Sequence, residues 1–211
     1  MILFGSSVSP FTRKVLMYAA ERNIALDNKP MPPHQDEPAF LAASPLGKIP
    51  ALQDDDFCLA DSSAIVHYLE AKFPEGTLLP QEPQARGMAI WYDEYADTVM
   101  SPLSTALFVN RALLPKVKKV PGDLAKADEA EQQVPRLYDY LESVVPGDGF
   151  LVGDSLTLAD IAIVNQLINL GHGGVPIDAV QYPTLAAYYQ RIATRPSVCD
   201  IVAAERTLLG D

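Results

Sequence analysis

The sequence predicts an α/β unit followed by an all-helical unit, and two observations support this prediction. Up to Phe73, short apolar runs alternate with helix-spaced apolar residues in the order β-α-β-α-β-β-α. A proline-rich segment follows over 74–83, and nearly everything after it has helical spacing. We therefore expect an α/β domain over 1–76, a linker over 77–85 and a helical domain over 86–211.

The elements of the first unit can be read in chain order. Ile2-Leu3-Phe4 predicts a buried strand that ends at Gly5, and Pro10 suits the first position of a helix because its missing N–H is not needed there. The pattern then predicts a strand over 24–30, a short helix over 37–43, a hairpin of strands 51–53 and 57–59, and a helix from Ser62.

For the second unit, the apolar spacing predicts five helical segments. Their predicted bounds are 84–113, 123–145, 157–170, 183–194 and 197–207. Pro102 and Pro135 should kink or interrupt their helices because proline lacks an N–H and its ring clashes with the preceding turn. Asp160 follows Thr157 by three residues, an arrangement typical of a capping box and hence of a structural role.

Composition and charge exclude several functional classes. The 211 residues carry a net charge of −11 and no basic stripe, so nucleic acid is not an expected partner. The two cysteines and three histidines form no redox pair and no metal-ligand motif. We expect no metal, no signal peptide and no membrane-spanning segment, and therefore a cytoplasmic protein.

Three local patterns in the first unit could bind an anionic or extended ligand. Ser9 stands at the start of a helix, where its hydroxyl either caps the helix or faces an anion. A cis Ile49-Pro50 bond would leave the backbone of Ile49 free to pair with an extended ligand. Asp61 and Ser62 begin another helix, whose free N–H groups suit a carboxylate, although a plain cap explains them equally.

Taken together, these patterns resemble the soluble glutathione S-transferase family over the whole chain. The resemblance rests on Ser-Pro-Phe before Arg13-Lys14-Val15, then Gly-Lys-Ile-Pro-Ala-Leu over 47–52, Asp-Ser-x-Ala-Ile-x-x-Tyr-Leu over 61–69 and the helix-capping segment 155–162. It implies a thioredoxin-like amino-terminal domain, an all-α carboxy-terminal domain and a bacterial-like member of the serine type. It further implies detoxifying conjugation, with glutathione as co-substrate and no tightly bound cofactor.

The resemblance also implies roles for individual residues. Ser9 would donate to the glutathione sulfur and stabilise the thiolate, with Thr12, Ser6, Ser7 or backbone amides as alternatives. The glutathione-binding set would be His34, Gln35, Lys48, Ile49, Pro50, Asp61 and Ser62. A tyrosine-type mechanism is disfavoured because Phe4 occupies that neighbourhood, and no cysteine stands at position 9 for disulfide exchange.

The partners implied are glutathione, a small hydrophobic electrophile and a second copy of the chain. The electrophile pocket is expected to include Phe11, Thr12, Met100, Leu103, Phe108 and Arg111. Trp91, Tyr92 and Tyr95 are expected in the core or in a dimer contact, and Asp93, Glu94 and Asp97 on a solvated face. A glutathione-dependent isomerase or lyase, and a non-catalytic binding module, remain alternatives on the same fold.

Overall fold

The computed structural model describes residues 1–210, which divide into two compact units, one over Met1–Leu79 and one beginning at Pro80. The first unit contains a four-stranded sheet and three helices. Its strands are β1 (Ile2–Phe4), β2 (Asp27–Lys29), β3 (Ala51–Asp54) and β4 (Phe57–Ala60), and its helices are α1 (Pro10–Glu21), α2 (Pro38–Ala43) and α3 (Ser62–Lys72). This arrangement confirms the predicted element order.

The sheet has the strand order β2-β1-β3-β4. Strand β1 pairs in parallel with β2 and antiparallel with β3, and β3 and β4 form the expected antiparallel hairpin. Phe4 and Ala51 are cross-strand partners whose side chains pack with Phe40 and Ala43 of α2 in one buried cluster. The hydrophobic face of the sheet therefore fixes the ends of β1 and β3, where the candidate site lies.

The second unit is entirely helical. It contains α4 (Pro83–Tyr95), α5 (Ser101–Phe108), α6 (Leu124–Glu131), α7 (Val134–Val144), α8 (Leu158–His172), α9 (Pro183–Ala193) and α10 (Pro196–Leu209). The π-helical stretch Ala96–Met100 joins α4 to α5, and a second one, Val109–Lys118, continues α5, so that one long helix ends at Lys118. The predicted helix over 123–145 is two helices, and Pro135 lies in the first turn of the second.

The chain stays helical through Pro102. It lies in the first turn of α5, directly after a wide π-helical turn in which the Ser101 N–H bonds to the Ala96 carbonyl five residues earlier. The altered bonding pattern accommodates a residue that has no N–H to offer. The capping box is confirmed, since the Asp160 carboxylate accepts from the Thr157 N–H at 2.8 Å.

Candidate functional site

The turn after β1 leads directly into the start of α1. Ser9 is the N-cap residue, with φ −74° and ψ 124°, and its half-buried side chain makes no capping hydrogen bond. Its N–H donates to the Ser6 carbonyl and its carbonyl accepts from the Arg13 N–H, so the backbone is fixed while the hydroxyl is not engaged. Within residues 1–210 the amides of Phe11 and Thr12 have no protein acceptor. The helix start thus presents the Ser9 hydroxyl, and the two N–H groups behind it have unused donor capacity.

Thr12 is placed differently from Ser9. It is fully buried, and its hydroxyl has no hydrogen-bond partner in the described part of the chain. Its Oγ1 lies so close to Gly5 that a Cβ built on that glycine would stand 2.5 Å from it. The Thr12 hydroxyl is therefore enclosed beside Gly5, and the roles of Thr12 in a pocket or in place of Ser9 stay predictions.

The segment before β3 supplies a second element of the site. The Ile49–Pro50 peptide bond is cis, as expected. Ser44 fixes the preceding residue, because its hydroxyl donates to the Lys48 carbonyl at 2.7 Å and accepts from the Lys48 N–H at 2.9 Å. The backbone N–H and carbonyl of Ile49 have no partner within residues 1–210, so they present one donor and one acceptor to an extended ligand. Sequence reasoning missed Ser44.

The start of α3 forms the third element. Asp61 has a positive φ of 83°, and its Oδ1 accepts from the N–H groups of Ser63 and Ala64 at 3.0 and 3.3 Å. The Asp61 side chain is therefore a helix cap. Ser62 next to it is 2% exposed, and neither its hydroxyl nor its N–H has a protein partner among the described residues. The unused binding capacity at this helix start belongs to Ser62.

A buried lysine adds positive charge beside this helix start. Lys14 of α1 is fully buried, and its Nζ donates to the Ser63 hydroxyl at 3.0 Å. A cation and a helix N-terminus both favour an anion nearby, so the electrostatics around Ser62 suit a carboxylate. The sequence pattern contained Lys14 but did not indicate that it is buried against α3.

The loop before α2 meets the segment before β3. The N–H of His34, a residue with a positive φ of 60°, donates to the Gly47 carbonyl at 2.7 Å. This bond brings His34 next to Lys48, whose exposed ammonium has no recorded partner among residues 1–210. Gln35 is exposed and makes only a long contact, 3.4 Å, to the Pro33 carbonyl. Of this set, His34 and Lys48 are close together at a solvent-exposed edge.

The expected electrophile-pocket residues of the second unit are only partly available. Met100 and Phe108 are buried, at 0% and 3% exposure, so they are core residues of the helical unit. Arg111 is bound to two carboxylates of α6, those of Asp128 at 2.7 Å and Glu131 at 2.5 Å. Leu103 is half-buried, as is Phe11 of the first unit. Three of the predicted pocket residues in this unit thus have structural roles.

The aromatic residues of α4 divide between core and surface. Tyr92 is buried, whereas Trp91 is 44% exposed and stacks on Tyr95 with ring centroids 5.4 Å apart. Tyr140 of α7 completes this cluster 5.2 Å from Tyr95, and burial raises the pKa of Tyr95 to about 12. Asp93, expected on a solvated face, is buried. The sequence did not indicate Tyr140, because the pairing depends on how α4 and α7 pack.

The described residues add two findings about other kinds of site. Residues 1–210 contain no group of three or more His, Cys, Asp or Glu side chains that could hold a metal ion. Among the described helices, none combines the length and the apolar character needed to cross a bilayer.

Both units match models of one protein family. Residues 3–77 match "Glutathione S-transferase, N-terminal domain", and residues 112–202 match "Glutathione S-transferase, C-terminal domain". The first match contains every residue of the three site elements described above.

Relatives with three different names match most of the chain. Glutathione S-transferase 3 of Zea mays is 30% identical over 96% of this chain and 93% of its own length. Elongation factor 1-gamma of Danio rerio is 31% identical over 82% of this chain, which spans 36% of that longer protein. Probable maleylacetoacetate isomerase 1 of Drosophila melanogaster is 29% identical over 93% of this chain and 81% of its own length.

A solved structure gives the same fold. The glutathione S-transferase from Rhodospirillum rubrum is 25% identical and superposes with a TM-score of 0.84, covering 95% of this chain and 90% of the other. Because the two domain models and a relative of nearly full coverage agree with this superposition, the chain belongs to the glutathione S-transferase family.

Proposed function

We propose that the protein is a glutathione transferase that joins the glutathione thiolate to a small hydrophobic electrophile. The single observation that supports this most is the Ser9 hydroxyl, which does not cap its own helix although it occupies the N-cap position. Two backbone amides next to it also have no protein acceptor among the described residues. Such a cluster of donors suits a thiolate.

The mechanism follows from the acidity of the thiol. A free thiol has a pKa of about 8.5, so most glutathione is unreactive at neutral pH. A hydrogen bond from Ser9 and the positive end of α1 both favour the thiolate, and a decrease of one to two pKa units corresponds to about 1.4–2.7 kcal/mol. The thiolate attacks the electrophile, a carbon–sulfur bond forms, and the leaving group departs as an anion. Ser9 keeps its proton throughout.

The remaining site elements are proposed to hold the tripeptide. The Ile49 backbone N–H and carbonyl would pair with the cysteinyl unit in an extended, strand-like manner, next to Pro50. The Ser62 N–H and hydroxyl would bind the γ-glutamyl carboxylate, and Lys14 would strengthen this binding through its charge. Lys48 and His34 would contact the glycyl carboxylate at the exposed edge. In this proposal Asp61 acts mainly by shaping the start of α3.

Ser9→Ala tests the mechanism. We expect the variant to lose about 10- to 100-fold in kcat/KM for the conjugation of chlorodinitrobenzene, the effect of losing one hydrogen bond to a charged group. The pKa of the bound thiol, read from the ultraviolet absorbance of the thiolate against pH, should rise by about one to two units. Ser7→Ala, in the same turn, should leave both quantities unchanged. Wild-type activity and an unchanged pH profile in Ser9→Ala would transfer the role to backbone N–H groups at the helix start.

An isomerase function on the same fold is the second candidate, and it is supported by the Drosophila relative, which is named as a probable maleylacetoacetate isomerase. The two reactions differ in stoichiometry: conjugation consumes one glutathione thiol for each electrophile, whereas isomerisation returns the thiol unchanged. Titrating free thiol during turnover of maleylacetoacetate and of chlorodinitrobenzene separates them. Thiol consumption with only the second substrate supports conjugation, and rapid turnover of the first without consumption supports isomerisation. Glutathione binding without either turnover would favour a binding module.

We also propose that the protein is a homodimer that uses a face of its long helix. Met88, Trp91 and Val99 lie along this helix, and each is between 44% and 47% exposed. Several large exposed apolar side chains on one element are typical of an interaction surface. The Trp91–Tyr95–Tyr140 cluster adds rigid aromatic area of the kind that interfaces favour.

A further inference from the structure

The loop between α7 and α8 contains the one Asp-Gly pair of the chain. Asp148 and Gly149 lie between Val144, the last residue of α7, and Leu158, the first residue of α8. No other aspartate and no asparagine of the 211 residues precedes a glycine. In such a pair the backbone nitrogen of the glycine is open to reaction with the preceding side chain, because glycine has no Cβ to shield it.

The carboxylate of Asp148 is in contact with that nitrogen. The side chain is fully exposed, and its Oδ1 accepts a hydrogen bond from the Gly149 N–H at 2.9 Å. The two atoms that would have to join, Cγ of Asp148 and the Gly149 nitrogen, are therefore close neighbours. Because nothing packs on the side chain, its carboxyl group can rotate to face the nitrogen.

The backbone at this pair is not fixed by a regular element. The Gly149 N–H has no carbonyl acceptor in the described part of the chain. Gly149 also has a positive φ of 83°, a conformation that glycine adopts without strain. In a helix or a strand the same N–H would be held by a ladder hydrogen bond and could not turn. The loop therefore allows the nitrogen to turn towards the carboxyl carbon.

One side chain of α9 holds the loop on both sides of Asp148. Arg191 donates from Nη2 to the Gly147 carbonyl at 2.7 Å and from Nη1 to the Gly149 carbonyl at 2.8 Å. Its Nε lies 3.9 Å from the Asp148 carboxylate. The planar guanidinium matches the spacing of the two carbonyls, and this spacing depends on an ordinary peptide bond between residues 148 and 149.

We propose that Asp148 is a site of spontaneous isoaspartate formation and that the modified loop loses its attachment to Arg191. The Gly149 nitrogen attacks Cγ of Asp148, a carbon–nitrogen bond forms, and a carboxyl oxygen leaves as water with the amide proton and a solvent proton. Water then adds to the backbone carbonyl carbon of the cyclic imide, and the bond from that carbon to nitrogen breaks. The nitrogen recovers a proton, and the new α-carboxylic acid releases one to the solvent.

The rearrangement adds one carbon atom to the main chain without changing the mass of the protein. The chain then passes through Cβ and Cγ of Asp148 instead of its carbonyl carbon. The spacing of the Gly147 and Gly149 carbonyls changes, so Arg191 can no longer bond to both. The proposal is independent of the proposed transferase function, because none of these residues belongs to the site elements described above.

The experiment ages the full chain at physiological temperature and neutral pH. Isoaspartate is measured as the methyl groups that an isoaspartate-specific carboxyl methyltransferase transfers from S-adenosylmethionine. We expect methyl-accepting sites to accumulate in wild type and to map to the peptide that contains Asp148. Asp148→Glu should stay at the level of fresh protein, because its imide would need a larger ring that closes more slowly. Asp154→Glu, at an exposed position of the same loop before a serine, is the matched control and should accumulate as much as wild type.

Thermal unfolding tests the loss of the Arg191 attachment. We expect the isolated modified form of wild type to unfold about 3–10 °C lower than fresh protein, because a hydrogen bond from a charged donor is lost. Arg191→Gln already lacks this attachment, so the same modification should lower its midpoint much less. Aged Asp148→Glu should keep its midpoint, which separates this loss from other effects of ageing.

Two results would overturn the proposal. Accumulation of methyl-accepting sites in Asp148→Glu equal to that in wild type would show that the reaction occurs elsewhere in the chain. Equal decreases of the unfolding midpoint in modified wild type and modified Arg191→Gln would show that the loop does not depend on Arg191.

Discussion

At the residue scale, Ser62 combines two properties that a purely structural residue would not have together. Its hydroxyl is buried and has no protein partner among the described residues. Such a group costs about 1–3 kcal/mol of stability when nothing binds it. It is therefore explained better by a ligand than by the fold.

Ser62→Ala should consequently have opposite effects on stability and binding. Without glutathione, we expect the free energy of unfolding in urea to stay the same or rise, because an unpaired hydroxyl is removed. The KM for glutathione should rise about 10-fold, since a carboxylate loses one hydrogen bond. A KM equal to that of wild type, or a loss of stability together with an unchanged KM, would contradict the binding role.

Gly5 supports the same site through its lack of a side chain. Its φ of 149° is unfavourable for other residues, and a Cβ there would lie 2.5 Å from Thr12 Oγ1. Gly5→Ala should therefore lower the free energy of unfolding by about 1–3 kcal/mol. The control is Gly87→Ala in α4, where a Cβ meets nothing within 4 Å. That variant should gain about 0.5–1 kcal/mol from helix propensity. Equal effects in thermal unfolding would contradict the steric argument.

Individual residues also show what a sequence can and cannot indicate. The capping box at Thr157 was predictable because it depends on neighbours in sequence, and the cis Ile49–Pro50 bond was implied by the family resemblance. The burial of Thr12 depends on contacts between distant segments, as do the pairing of Arg111 with α6 and the position of Lys14 against α3. Local patterns carry no information about such contacts.

At the element scale, helix α9 is held at its start by a carboxylate from another helix. Its N-cap residue, Tyr182, makes no capping bond, and Glu142 of α7 accepts from the N–H groups of Thr184 and Leu185 at 3.0 and 2.7 Å. Burial raises the pKa of Glu142, but these hydrogen bonds outweigh it and hold the pKa below its usual value. The ionised form therefore stabilises the fold.

Glu142→Gln should reveal this contribution through its dependence on pH. A carboxyl group whose pKa is lower in the folded state adds stability above its unfolded pKa and loses it as pH falls through the folded value. We expect the variant to be less stable than wild type in urea at neutral pH, and the difference to shrink towards about pH 3. Glu129→Gln, at an exposed position of α6, should show no such trend. A difference independent of pH would point to packing instead.

The long helix shows the limit of periodicity as a guide to element geometry. Helix-spaced apolar residues predicted a helix over 84–113, and the observed helix extends from Pro83 to Lys118. The wide turns of its π-helical stretches were not predictable, because a change of hydrogen-bond register leaves the apolar pattern nearly intact. Pro102 and Pro115 were the available signals, since each lies at or within such a turn.

At the scale of the whole molecule, the homodimer proposal can be tested directly. We expect light scattering coupled to size-exclusion chromatography to give about twice the chain mass of 22.9 kDa for wild type. Trp91→Ala should shift the population towards monomer, because buried aromatic residues dominate many interfaces. Val180→Ala, which truncates a 93% exposed loop residue, should leave the mass unchanged. A wild-type protein that is monomeric at all concentrations would contradict the proposal.

The fold of the whole molecule was more predictable than the details of its site. Order and spacing of three short motifs identified the family, because those motifs depend on residues that are close in sequence. Which hydroxyls are unused and which charges are paired both depend on tertiary packing. The unpartnered Ser62 hydroxyl and the pairing of Arg111 with α6 therefore could not be predicted from the sequence.

The exposed position of Trp91 gives the protein an intrinsic optical reporter. It is the only tryptophan in the chain, and it lies on the helical unit with one ring face stacked on Tyr95. Selective excitation of tryptophan therefore observes one defined surface without any label. A change in emission wavelength or in quenching by iodide would register whether solvent still reaches that surface. Association of two chains could in this way be followed in real time during dilution.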